Sequence, residues 1–177
     1  MKRSKIAASA GGKSAILRAK EGAEDDYEEG ARATKRLTPG KRDVVVGVSA
    51  SGMTPFVRGA LTSARGAGAR IIFVTCDPRT ELQSFVDLTI APAVGPEVIA
   101  GSTRLKAGTA TKLVLNTLTT SAMVLIGKTY GNLMVDVRTG SDKLRDRARR
   151  MVHIVTGLEI EATDALLKRA HWNVKAA

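Results

Sequence analysis

The stretch Val44-Val45-Val46-Gly47-Val48-Ser49-Ala50-Ser51-Gly52-Met53-Thr54-Pro55 constrains the fold more than any other part of the chain. Four valines around one glycine, bounded by Lys41-Arg42-Asp43 before and a hydroxyl-rich turn after, fit a strand buried on both faces, as in a parallel sheet. A helix should start at once. Thr54 suits the N-cap, and Pro55 suits the first helical position, where its fixed φ fits and its missing N–H is not needed. Ser49, Ser51 and Thr54 then stand beside backbone N–H groups free at a helix N-terminus, and Gly52 lets a ligand approach the main chain. The pattern is that of a phosphate site.

The flanking segments repeat the strand and helix periods. Val57, Ala60, Leu61 and Ala64 share one face of a helix that Gly66-Ala67-Gly68 ends. Ile71 to Thr75 is a second strand and Asp87 to Ala91 a third, so βαβ units and a parallel sheet with helices on both faces follow. Ligands in such sheets bind beyond the carboxyl ends of the strands, where Ser49 to Thr54 would lie.

The segment Val94 to Thr109 follows a strand and precedes a long helix reaching about to Ile126. Ser102 and Thr103 therefore form a second hydroxyl pair at a helix start, with Arg104 and Lys106 close by. The two helix starts can converge on one anionic ligand. Leu115, Leu118, Ala122 and Leu125 make a stripe expected to be buried, in part at a dimer interface, although Thr117, Thr119, Thr120 and Ser121 weaken the helix.

Upstream, Lys5 to Ala10 reads as a weak strand and Lys13 to Glu21 as a helix with Ala15, Ile16 and Ala19 on one face. Gly11-Gly12-Lys13-Ser14 has the tail of a nucleotide P-loop, but the position of its leading glycine is Ala7, which argues against that reading. Glu21 to Glu29 holds six of the 17 acids within nine residues. They read as a helix N-terminus favoured by the dipole, or as the source of a general base. A helix over 25–36 follows, and Leu37-Thr38-Pro39-Gly40 turns into the central strand. Downstream, 131–136 is a linker or strand-like segment, 141–155 a basic amphipathic helix that Ser141 caps, and a last helix follows Glu159. His153 and His171 read as structural.

Composition narrows the function classes. A net charge of +11 invites a nucleic-acid partner. The cations are scattered, however, and the one dense run, Lys143 to Arg150, has no interleaved aromatics for base stacking. It reads as a solvated helix face or subunit contact, and no specific nucleic acid is expected. The single cysteine, Cys76, excludes an internal disulfide and a multi-cysteine metal site. No apolar stretch approaches the ~18 residues needed to span a bilayer, and no signal core follows Lys2-Arg3, so a cytoplasmic protein without membrane contact is expected.

Four motifs in order, Glu21-Gly22-Ala23-Glu24-Asp25-Asp26, Val46 to Pro55, Val94-Gly95-Pro96-Glu97 through Gly101 to Ala110, and Asn132-Leu133-Met134-Val135-Asp136, resemble the N-acetylmuramic acid 6-phosphate etherase family. The resemblance covers nearly the whole chain. It implies the sugar isomerase (SIS) fold, an α/β three-layer αβα sandwich with a parallel sheet, here over 1–140 and without its first strand and loop. Residues 141–177 would be C-terminal helices beginning a small helical module. It further implies a homodimer that cleaves the lactyl ether of a phosphorylated amino sugar by elimination and water addition, giving N-acetylglucosamine 6-phosphate and D-lactate. No metal or redox cofactor is implied.

By the same resemblance Glu24 is one of two catalytic carboxylates, Ser49, Ser51, Gly52 and Thr54 form the phosphate loop, and Ser102 contacts the sugar. Thr103 and Lys106 belong to the same substrate-binding motif. Family members carry an earlier strand, a Gly-Thr-Ser-Gly-Arg loop and a second glutamate that nothing here matches, and Met53 and Phe56 replace the usual Arg and Tyr. A non-catalytic phosphosugar-binding module is the alternative that this leaves open.

Overall fold

The computed structural model describes residues 6–177, which divide into two compact units meeting between Leu115 and Asn116. The first holds a three-stranded parallel sheet in the order β1 (Val44–Val48), β2 (Arg70–Val74), β3 (Leu88–Ile90). The pairing is in register from Val44 opposite Arg70 to Val48 opposite Val74, and from Ile72 opposite Leu88 to Val74 opposite Ile90. Helix α1 spans Tyr27–Arg36, and α2, Pro55–Gly66, carries the chain from β1 to β2. The α/β class with a parallel sheet, as read from the sequence, is the one the chain adopts.

The core lies between α2 and the sheet. Leu61, Ala64, Ala69, Ile71, Phe73 and Leu82 are buried together, with Val45, Val57, Phe85 and Val86 against them. Fully buried side chains such as Phe73, Leu61 and Ile71 stabilise a fold by about 1.5–3 kcal/mol each. Gly47 is what lets α2 lie this close: a Cβ there would come within 2.8 Å of Leu61 and Val57.

A second glycine contact fixes α1 on α2. A Cβ on Gly30 would collide with the carbonyl oxygen of Phe56, and one on Gly59 with that of Tyr27. The two backbones therefore touch through paired glycines, and Asp26 caps α1 by accepting the N–H of Glu29 at 2.7 Å.

Four expectations are corrected. Strand β1 is not buried on both faces: among the described residues it is one of the two edge strands, and Val44, Val46 and Val48 are 57%, 37% and 38% exposed on the side away from α2. The helix expected over 13–21 is a single 3-10 turn, Lys13–Ile16, because so short a segment cannot sustain itself and Leu17 finds no packing partner at 88% exposure. Nor do the described residues of 5–10 form a strand; Lys5 lies outside them. Helix α3, Lys106–Leu125, forms at the expected place, but its stripe is not buried within one chain: Leu115 and Leu118 are half-buried, Ala122 is exposed and Leu125 is 85% exposed.

The second unit packs α4 (Asp142–Thr156) and α5 (Ile160–Arg169) around Val135, Ala148, Met151, Val152, Leu167 and Val174. Ser141 caps α4 through Leu144 N–H at 3.4 Å, and Gly157, at φ 72°, ends it. The basic run is the outer side of α4, with Lys143, Arg145, Arg147 and Arg150 exposed. Arg149 turns inward to Asp164 at 2.7 Å, and both Arg145 and Arg149 lie 5.1 Å from the Trp172 ring centre. Lys168 also meets Asp164, and the two cations hold that carboxyl below its usual range.

The glycine contact is open to test. Gly30→Ala should cost about 1–3 kcal/mol or more in a denaturant melt, as overpacking does, whereas Gly66→Ala, where a Cβ meets nothing within 4 Å, should leave the midpoint unchanged or slightly raised.

Candidate functional site

The loop after β1 is built by continuing the ladder one step. Ser49 N–H donates to Val74 C=O at 3.0 Å, and Cys76 N–H donates to Ala50 C=O at 3.0 Å, so the ends of β1 and β2 stay side by side. The chain then turns sharply: Gly52 N–H donates to Ser49 C=O at 3.1 Å, with Gly52 at φ +78°. Thr80, from the β2–β3 connection, donates its hydroxyl to Gly52 C=O at 2.8 Å, and a Cβ on Gly52 would lie 2.9 Å from that of Thr80. Glycine is thus required here by both conformation and packing.

Three hydroxyls meet on this turn. Ser49 Oγ lies 2.7 Å from Thr54 Oγ1 and 3.4 Å from Ser51 Oγ. Thr54 occupies the N-cap position of α2, yet its side chain makes no capping bond; its hydroxyl goes to Ser49 instead. The free amides expected at the helix start also lie elsewhere. Phe56 N–H is taken by the main-chain carbonyl of Glu24 at 2.9 Å, because the segment before α1 packs there, and Pro55 has no N–H. Among the described residues, the N–H groups of Ser51, Met53 and Thr54 make no hydrogen bond within the chain. Loop amides and rotatable hydroxyls, rather than the helix end, are the donors available to an anion.

A cavity of about 260 Å³ opens beside the loop. Ala50, Ser51, Cys76 and Asp77, at the ends of β1 and β2, line one side, and Gly95, Glu97, Gly101, Thr103 and Ala107 line the other. Ser51 and Thr103 therefore face one space. Ser102, half-buried, and Lys106, exposed, are their chain neighbours and not part of this wall, and Ser49, Gly52 and Thr54 do not line it either. Glu24 is tied to α2 by its backbone only. Its carboxylate is exposed, makes no hydrogen bond or ion pair among the described residues, and does not line the cavity. Of its acidic neighbours, Asp26 caps α1, and Glu29 is held below the usual carboxylate range by hydrogen bonds from Arg32 and Arg36.

Two residues here escaped sequence reasoning. Thr80 resembles any turn threonine until the fold brings it to Gly52. Glu97 lies in a motif already singled out, but nothing local marks its contact nine positions on: it accepts the N–H of Lys106 at 3.0 Å and of Ala107 at 3.1 Å, the first amides of α3. Those bonds hold its carboxyl below the usual carboxylate range.

Residues 2–65 match the family model of the glucokinase regulatory protein N-terminal SIS domain. The N-acetylmuramic acid 6-phosphate etherase of Clostridium botulinum (strain Langeland) is 50% identical over 166 residues, which is 94% of this chain and 55% of that protein. Those of Salinibacter ruber and Alkaliphilus metalliredigens are 53% and 51% identical over 169 residues, 95% of this chain and 54% and 55% of theirs. The chain spans a little over half the length of these relatives.

The Glu97 tether has a definite pH dependence. Its folded pKa is depressed, so its contribution is complete above the unfolded value and is lost as pH falls through the folded one. Amide shifts of Lys106 and Ala107 should therefore stay constant at neutral pH and titrate only in acid, below the ordinary carboxylate range; a midpoint at or above that range would contradict the tether.

Proposed function

We propose, of a chain homologous over 94% of its length to an N-acetylmuramic acid 6-phosphate etherase, that it is a carbon–oxygen lyase of that type with its phosphate site on the Ser49–Thr54 loop. The observation that carries this reading is the hydroxyl cluster of Ser49, Ser51 and Thr54, beside unpaired loop amides, with Ser51 lining a cavity. A phosphate dianion has the acceptors to satisfy all of these donors. Thr103 and its neighbours Ser102 and Lys106 would meet the sugar from the other side.

In the lyase reaction one carboxylate takes the proton beside the sugar carbonyl as the C–O bond to lactate breaks, and an acid protonates the departing ether oxygen. Water then adds to the double bond, giving N-acetylglucosamine 6-phosphate and D-lactate. Glu24 is the residue we assign to this pair; its carboxylate is unengaged, and its backbone is anchored to the start of α2 beside the phosphate loop. A homodimer working in the cytoplasm suits this reading. The exposed Leu113, Val124 and Leu125 of α3 favour a second copy, and no helix among the described residues is long and apolar enough to cross a membrane.

A second reading, a phosphosugar-binding module without chemistry, is favoured by two observations: the match to a regulatory protein's SIS domain, and the position of Glu24 outside the cavity wall. Calorimetry with N-acetylglucosamine 6-phosphate and assay of D-lactate from N-acetylmuramic acid 6-phosphate separate the two. The lyase reading expects binding that Ser51→Ala weakens about tenfold, as loss of a charge-assisted hydrogen bond does, and lactate release that Glu24→Gln abolishes while binding changes less than twofold. Binding without lactate release supports the module, and no binding by the unaltered chain rejects both.

A further inference from the structure

The two helix starts that border the cavity are occupied in opposite ways. At α2 the first amides meet neutral carbonyls, Phe56 N–H that of Glu24 and Val57 N–H that of Thr54, and the neighbouring loop amides and hydroxyls are left for a ligand. At α3 both carboxylate oxygens of Glu97 are spent on the amides of Lys106 and Ala107. The donors and partial positive charge that a helix start offers an external anion are thus already satisfied by an internal one. Glu97 also lines the cavity itself, as Ser51 does, so a fixed carboxylate stands in the wall that a ligand meets. Asp77 is paired with Arg79 at 3.6 Å, while Glu97 takes its hydrogen bonds from the main chain and feels the Lys106 ammonium only through charge.

We infer that Glu97 is an orienting residue that denies the α3 start to phosphate, so that a phosphorylated sugar enters with its phosphate on the Ser49–Thr54 loop and its ring toward Gly101–Thr103. This rests on the phosphosugar reading above and adds a direction to it. Two hydroxyl-bearing walls would by themselves accept the ligand either way round; a fixed carboxylate on one of them makes the two orientations unequal. Repulsion between anions a few ångströms apart acts against the wrong orientation, which is specificity gained by an unfavourable contact. Glu97 acts through the ligand's placement and needs no contact with the reacting atoms.

The test is a titration of the isotope-labelled full chain with inorganic phosphate, followed through backbone amide shifts. In the unaltered chain Ser51, Gly52 and Thr54 should move and Lys106 and Ala107 should not. In Glu97→Gln, which keeps the shape but drops the charge and one acceptor, Lys106 and Ala107 should respond as well, over the phosphate range in which the unaltered chain leaves them silent; Glu97→Ala should do the same. A merely structural role for Glu97 would loosen the loop without creating this phosphate response. The inference is overturned if phosphate moves Lys106 and Ala107 in the unaltered chain with the same midpoint as Ser51, or if both variants leave them silent. The first of these needs no variant to fold. If Ser51, Gly52 and Thr54 do not respond in any form, the phosphosugar reading fails, and the response of Lys106 and Ala107 still decides the role of Glu97.

Discussion

The site depends on one close contact, the approach of α1 to α2 through Gly30 and Gly59. With side chains at those positions the helices would be held apart by the carbonyls of Phe56 and Tyr27. With hydrogens there, the segment before α1 reaches the first turn of α2, and Glu24 C=O accepts Phe56 N–H. That bond fixes where α2 begins relative to the acidic segment. Because α2 also lies on β1 through Gly47, it fixes where the loop between them must turn.

From this frame the polar bookkeeping of the loop follows. Its main chain is held by Val74, Thr75, Cys76 and Thr80, all from β2 or just beyond it. Among the described residues, the Ala50, Ser51, Met53 and Thr54 amides and the three hydroxyls are what remains. Groups of this kind are costly to leave unpaired when buried and are inexpensive at a wet surface. A cavity wall that water can reach and a phosphate can enter is where a fold can keep them. The opposite wall is treated differently, its helix amides being closed by Glu97. The asymmetry gives a directionless cavity a direction.

Much of this was legible in the sequence, for physical reasons that also mark where reading failed. The valine run, the Pro55 start of α2, the Asp26 and Ser141 regions and the second and third strands were readable because turn chemistry and periodicity act within a few residues. The hydroxyl loop was readable because its residues are adjacent. What could not be read acts across the fold. Gly30 and Gly59 leave no periodic signal, since their role is the absence of a side chain at a contact set by two helices. The partners of Phe56 N–H and of the α3 amides are carbonyl and carboxylate groups 32 and nine positions upstream, which reverses the simple expectation that helix starts are free. The exposed outer face of β1 escaped because an apolar strand reads the same whether or not a second layer covers it. The resemblance to the etherases supplied Glu24, which no local physical signal singled out from its acidic neighbours.

The central claim is that the Ser49–Thr54 loop receives the phosphate of a phosphosugar. The most direct measurement is a crystal structure of this chain soaked with N-acetylglucosamine 6-phosphate. The phosphorus should lie within hydrogen-bonding reach of the Ser49, Ser51 and Thr54 hydroxyls, with the Glu97 carboxylate still on Lys106 and Ala107. Phosphate density at the start of α3 with Glu97 displaced, or sugar bound away from the cavity altogether, would contradict it.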